Sequence, residues 1–174
     1  SGTSAGSANA CLDDVVISDP NGQAMNPTAA CGTFTVTEEP VDAVSLTVVN
    51  DGPPMQVGGV QAITIDMDNE ESVGGFQFSL TVDPNIASIF DVTTTDRTEG
   101  FTLSTANVIV IGVSMTGDVI SAGTGPIINI FLSAEVAGDA DVCLDDIVLS
   151  DPFGSSLPSE STCDMIIIID GAVS

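Results

Sequence analysis

Residues 73–83 read VGGFQFSLTVD, and in them Phe76, Phe78, Leu80 and Val82 alternate with Gln77, Ser79 and Thr81. A period of two sends the apolar set to one face of an extended chain and the polar set to the other. The stretch therefore predicts a strand with one face in a core and one in water. Related segments recur: VSLTVV at 44–49, VQAITIDM at 60–67 with Ile63, Ile65 and Met67 on one face, FTLS at 101–104, NVIVIGVSM at 107–115, IINIFLSAEV at 127–136, VCLDDIVLS at 142–150 and MIIIIDGAV at 165–173. IASIFDV at 86–92 fits a strand or a single helical turn. The clusters NDGPP, DNEES and SAGTGP between them are turn signals. No segment holds a 3.6-residue period over three turns. The prediction is an all-β chain whose last ~130 residues carry about nine strands, arranged as a β-sandwich.

A duplication complicates a single sandwich. CLDDVVISDPNG at 11–22 returns as CLDDIVLSDPFG at 143–154, 132 residues later. Aligned without a gap, residues 11–36 and 143–168 share ten identities, and the rest of the chain occurs once. Residues 1–37 thus copy the last two strands of the sandwich without its others. Strands are expected at 11–18 and at GTFTVT (32–37), with DPNG as a turn. SGTSAGSANA (1–10) reads as a linker or the foot of a strand, and EEP (38–40) as a boundary. This gives an N-terminal β-hairpin extension at 1–42 and a sandwich at 43–174. A lone hairpin is marginal in water and exposes an edge and an apolar face. It can dock on a neighbouring copy, close a preceding domain of a tandem array, or fold back on its own domain. Docking on the next copy is the favoured expectation, and a heterologous contact of that kind propagates into a filament.

Cys11, Cys31, Cys143 and Cys163 form two pairs, each 20 residues apart. That spacing predicts local disulfides Cys11–Cys31 and Cys143–Cys163 and an extracellular setting, secreted or at the cell surface. The chain carries 25 acidic residues against one base, Arg97, with no His, for a net charge of −24. Without His there is no Ser-His-Asp or Cys-His triad. Without clustered Lys and Arg there is no nucleic-acid surface and no polybasic membrane patch. No apolar run is long enough for membrane insertion. Trp and Tyr, the usual sugar platforms, are missing. The composition favours a structural or binding protein over an enzyme.

Carboxylates cluster at turns. DMDNEE (66–71) supplies Asp66, Asp68, Asn69 and Glu70, and the duplicated motif supplies Asp13 with Asp14 and Asp145 with Asp146. Calcium prefers such oxygen ligands, so Ca2+ is expected at these residues, although none matches the EF-hand spacing. The pairs Asp145/Asp146 and Asp66/Asp68 could also serve as acid and base in glycoside hydrolysis, but the aromatic subsites that chemistry needs are missing. Strongly acidic subunits packed side by side repel over distances shorter than the Debye length of about 8 Å. Their assembly needs high salt, bridging divalent ions or apolar interfaces.

VGGFQFSLTVDP (73–84), ISAGTGPIINIFLSAE (120–135) and LDDIVLSDPFGSSLP (144–158), followed by a closing strand with DG at 170–171, occur in the order of the corresponding motifs of cohesin domains. Residues 43–174 resemble that family. The resemblance implies a nine-stranded jelly-roll sandwich and a role in binding dockerin modules. The sequence departs from common cohesins in its paired cysteines, its lack of Tyr and Lys, and its duplicated N-terminal hairpin. Two functions are therefore expected: a self-assembling subunit of an extracellular filament or surface matrix, binding copies of itself with calcium, or a cohesin-type module of a tandem-repeat scaffold that captures a dockerin-like partner.

Overall fold

The computed structural model describes residues 6–37 and 42–171. The boundary EEP, residues 1–5 of the expected linker, and the last two residues of the expected 165–173 strand lie outside them. Internal packing separates two units, Ser1–Pro40 and Val41–Ser174.

The first unit is a long hairpin. Strand β1 (Gly6–Ala10) pairs antiparallel with β4 (Gly32–Val36), and β2 (Ile17–Ser18) pairs with β3 (Ala24–Met25). Cys11 and Cys31 form a disulfide between the two ladders, with Cα atoms 4.2 Å apart. The DPNG turn is built as its residues dictate. Asp19 Oδ1 accepts from the N–H groups of Asn21 and Gln23, and Gly22 takes φ +79°. The strand expected over 11–18 survives only at Ile17–Ser18, whereas Gly6–Ala10, within the stretch read as a linker or the foot of a strand, is strand. Ladder bonds come from the backbone, so the small residues of 6–10 pair as well as apolar ones would.

The second unit is a sandwich of nine long strands and three short ones. In chain order they are β5 (Val44–Val49), β6 (Met55–Gln56), β7 (Val60–Asn69), β8 (Gly75–Asp83), β9 (Ala87–Thr94), β10 (Phe101–Ala106), β11 (Ile109–Ser114), β12 (Gly123–Ala134), β13 (Gly138–Ser150), β14 (Ser156–Leu157), β15 (Ser159–Thr162) and β16 (Asp164–Ile169). One sheet has the order β15-β5-β7-β12-β9. The other has β10-β11-β8-β13-β16-β6, with β14 also on β13. The ambiguous stretch 86–92 is strand β9, because it completes the first sheet beside β12.

The alternation decides the faces. Leu46, Ile63, Ile65, Met67, Phe78, Ile130 and Leu132 point between the sheets and are fully buried. Each such side chain contributes roughly 1.5–3 kcal/mol by leaving water. Phe76 stacks between Phe78 and Phe101, with ring centroids 6.0 and 6.2 Å away. A second disulfide, Cys143–Cys163, ties β13 to the turn before β16. A Cys143→Ser/Cys163→Ser variant is expected to lose about 3 kcal/mol and melt about 10 °C lower. Calorimetric melting checks this, and an unchanged transition would show that the loop is already constrained without the bond.

Candidate functional site

An antiparallel sheet with one covered face normally shows polar side chains on the other. The outward face of β10, β11, β8 and β13 departs from that rule. The registers set three rows across it: Thr102–Val113–Gly75–Ser150, Ser104–Ile111–Gln77–Val148 and Ala106–Ile109–Ser79–Asp145. Ile109, Val113 and Val148 are 38%, 40% and 55% exposed, and Ile111 lies half-buried among them. The reason is legible in β11. NVIVIGVSM lacks polar alternation, so the strand is apolar on both faces. One face enters the core through Val110, and the other faces solvent.

The β13 edge of this face is shaped by a bulge. Register passes from Asp145↔Ser79 to Val148↔Gln77, one residue more on β13 than on β8. Asp146 takes φ +49° there, a left-handed backbone that Asp tolerates better than most residues. The bulge lets two consecutive carboxylates reach the same side of β8. Thr81 Oγ1 donates to Asp145 at 2.6 Å, and Ser79 Oγ to Asp146 at 3.4 Å. The site is thus an apolar strip bordered by hydroxyls on one side and an acidic pair on the other. It offers apolar contact area flanked by carboxylates.

Strand β16 adds Met165, Ile167 and Ile169 to the outward face of the same sheet. At the equal register positions of the first unit stand Thr33, Thr35 and Thr37, whereas the outward residues of β13 recur there as Asp13, Asp14, Val16 and Ser18. The duplication therefore retains the β13 edge and not the β16 stripe.

The residues expected to hold calcium are dispersed. Asp13 and Asp14 lie exposed in the first unit and Glu70 exposed after β7. Asp66 and Asp68 project from β7, where Thr64 and Thr124 hydroxyls donate to them at 3.3 and 2.9 Å. Asn69 is buried: its Oδ1 accepts from Arg97 at 2.7 Å, and its Nδ2 donates to Glu71 O at 2.7 Å and to Ser121 O at 3.2 Å. Among the described residues no three carboxylate or cysteine side chains converge as a metal cage.

Arg97 was expected only as the chain's single base. Its guanidinium reaches five oxygens: Met67 O and Gly125 O at 2.7 and 3.0 Å, and Asn69 Oδ1, Ser121 O and Gly123 O at 2.7, 2.9 and 3.0 Å. Burial lowers its pKa, and the nearby Asp66 and Asp68 carboxylates oppose that. It stays charged at every physiological pH. Beside it, a cleft of about 810 Å³ is lined by Asp96, Glu99 and Asp118 among others. Hydrogen bonds from the Thr116 and Ser114 hydroxyls hold the Asp118 carboxyl below its ordinary value. A general acid needs the opposite shift, so Asp118 is no proton donor at neutral pH. A cleft of about 590 Å³ between β8, β9 and the β10–β11 turn is lined by Leu80, Val82, Ile89, Val108 and small polar residues, with no titratable group.

No protein-family model matches the chain, and no curated protein matches it by sequence. Solved structures do match by fold. The cohesin module of a family 33 glycoside hydrolase from Clostridium perfringens aligns with a TM-score of 0.62 at 14% identity, covering 74% of this chain and 98% of that one. A non-cellulosomal cohesin from the hyperthermophilic archaeon Archaeoglobus fulgidus aligns at 0.58 and 16%, covering 74% and 92%. A type I cohesin–dockerin complex from Clostridium thermocellum aligns at 0.59 and 10%, covering 78% and 99%. The order of the strands, the two facing sheets and these alignments agree: the sandwich of this chain has the cohesin fold.

Proposed function

We propose that the sandwich is a non-enzymatic, extracellular protein-binding module that captures a dockerin-like partner on the outward face of β10, β11, β8 and β13. The observation that carries this reading is the contiguous apolar strip of Ile109, Ile111, Val113 and Val148, set by register on one outward face between hydroxyls and an acidic pair. Apolar strips rimmed by polar groups mark interaction sites. Asp145 and Asp146 at its border favour a partner with basic residues flanking an apolar ridge. The two disulfides suit the oxidising exterior of a cell, and no helix among the described residues is long and apolar enough to cross a membrane.

The filament expected from the sequence finds no support in the structural relatives, several of which are complexes with dockerins. Partner capture explains the exposed strip, which self-assembly through the N-terminal hairpin leaves without a role. Titration calorimetry against purified dockerin modules tests the proposal. Ile111→Asp is expected to weaken binding about 100-fold or more, as loss of a central anchor does, with the melting transition unchanged. An affinity insensitive to Ile111→Asp and Val113→Asp would place the partner elsewhere.

Calcium enters this reading as a loosely held counter-ion of the paired carboxylates rather than as a caged structural ion. Chelation is expected to move the melting temperature by no more than about 2 °C. A larger fall would reveal a built site.

A further inference from the structure

Residues 6–37 repeat the strand registers and turns of residues 138–169. The register Gly6↔Val36 through Ala10↔Gly32 is that of Gly138↔Ile168 through Val142↔Asp164. Ile17↔Met25 corresponds to Leu149↔Leu157. Asp14 and Asp146 share the left-handed backbone, at φ 52° and 49°, as do Gly22 and Gly154 at 79° and 85°. Asp151 accepts from Phe153 and Ser155 as Asp19 does from Asn21 and Gln23. The same hairpin conformation is held in a unit of its own.

The inward side chains show what is lacking. Leu144, Leu149 and Ile166 are 4%, 1% and 1% exposed, while their counterparts Leu12, Ile17 and Phe34 are 69%, 47% and 54% exposed. The edge tells the same story. Asp141–Ser150 pairs with β8, whereas Asn9–Ser18 meets no third strand among the described residues.

We infer that residues 6–37 are the closing hairpin of a preceding sandwich in the same polypeptide. Their apolar face and open edge take a body of the kind formed by residues 42–137, with a β8-like strand along Asn9–Ser18 and an apolar sheet beneath Leu12, Ile17 and Phe34. Two arguments choose this occupant over a second copy of the chain. A seat of this shape occurs in the sandwich, and β13 and β16 fill it. They are tethered there at high effective concentration, so a hairpin from another molecule displaces them only to make contacts of the same kind. The junction also fits. Gly6 aligns with Gly138, so in sequence Ser1–Ala5 align with the last five residues of the body, 133–137, and no room is left for a linker between body and hairpin.

The substitutions agree with burial. Leu12 repeats Leu144, and Ile17, Met25, Phe34 and Val36 replace Leu149, Leu157, Ile166 and Ile168 with other apolar residues. A face left to solvent has no need of that. The outward Asp13, Asp14, Val16 and Ser18 match Asp145, Asp146, Val148 and Ser150, so the completed repeat presents the same edge to a partner. That consequence rests on the binding reading above, and the seating does not.

Two extended chains test the seating. In one, residues 42–137 are joined to Gly6 of the chain. In the other, residues 42–171, whose seat is already filled, are joined there. Amide exchange at residues 9–18 is expected to slow about 100-fold or more in the first, relative to the unextended chain, and to stay unchanged in the second. Equal exchange in both overturns the inference. So does an unextended chain that sediments as a dimer or larger with residues 9–18 already protected. Protection without a second partner site in calorimetry overturns the binding reading and leaves the seating standing.

Discussion

Replacing Arg97 with Ala is expected to lower stability by about 3 kcal/mol or more, a fall of about 10 °C in melting temperature. The reason lies in β12. Its first residues, GTGP, pair with β7 but not with β9, whose ladder begins at Ile128; Gly123 and Gly125 hold φ +145° and +141°, and the β7 register slips between Pro126 and Ile128. A ladder broken in this way leaves backbone carbonyls without partners, and buried carbonyls need them. Arg97 supplies Gly123 and Gly125, Thr95 Oγ1 supplies Pro126 at 2.6 Å, and Thr98 Oγ1 supplies Ile127 at 2.7 Å. All three donors come from the 3-10 turn Asp96–Thr98 and its N-cap. Arg97 also clamps Met67 of β7 and the buried Asn69. Arg97→Lys is expected to recover less than half of the loss, because one ammonium cannot span acceptors that a planar fork reaches together. A melting temperature within about 2 °C of the parent for Arg97→Ala would show that water replaces the fork.

This cluster also marks where the sequence stops being readable. The alternation of 73–83 foretells Phe76, Phe78 and Leu80 in the core, and 60–67 foretells Ile63, Ile65 and Met67, because strand faces follow from local order alone. The role of Arg97 depends on carbonyls from residues 67 to 125, brought together by a bulge, and no local pattern encodes that. Asn69 shows the cost: read by composition, it joins an acidic calcium cluster, yet its side chain is bonded to Arg97 and to the loop before β12.

The apolar strip is an intermediate case. Its signal was present in NVIVIGVSM as an absence of polar alternation, which marks a strand apolar on both faces. Periodicity cannot tell whether the second apolar face meets another sheet or water. Register supplies that answer by setting Ile109 and Ile111 beside Ser79 and Gln77, the outward residues of β8. The duplication was legible in full as a sequence, and so was the open apolar face of a lone hairpin; what covers that face was not, since burial belongs to the surroundings.

Gly112 joins the core and the strip, and Gly112→Val is expected to cost about 3 kcal/mol. Gly112 sits opposite Phe76 in the β11–β8 ladder, on the inward face. A Cβ there would overlap the Phe76 ring, which lies across the glycine while stacking on Phe78 and Phe101. An aromatic ring covering a cross-strand glycine is a known means of holding two strands close. The ring cannot retreat, because its neighbours are buried rings. The valine must instead lift β11 from β8, and β11 is the strand that presents Ile109, Ile111 and Val113. Gly112→Val is therefore expected to weaken partner capture as well as stability. Pairing it with Phe76→Leu, which vacates the space, is expected to return about 1–2 kcal/mol relative to the sum of the single changes. Strictly additive losses in chemical denaturation would mean that the two positions do not share that space, and that β11 is held flat by something other than its glycine.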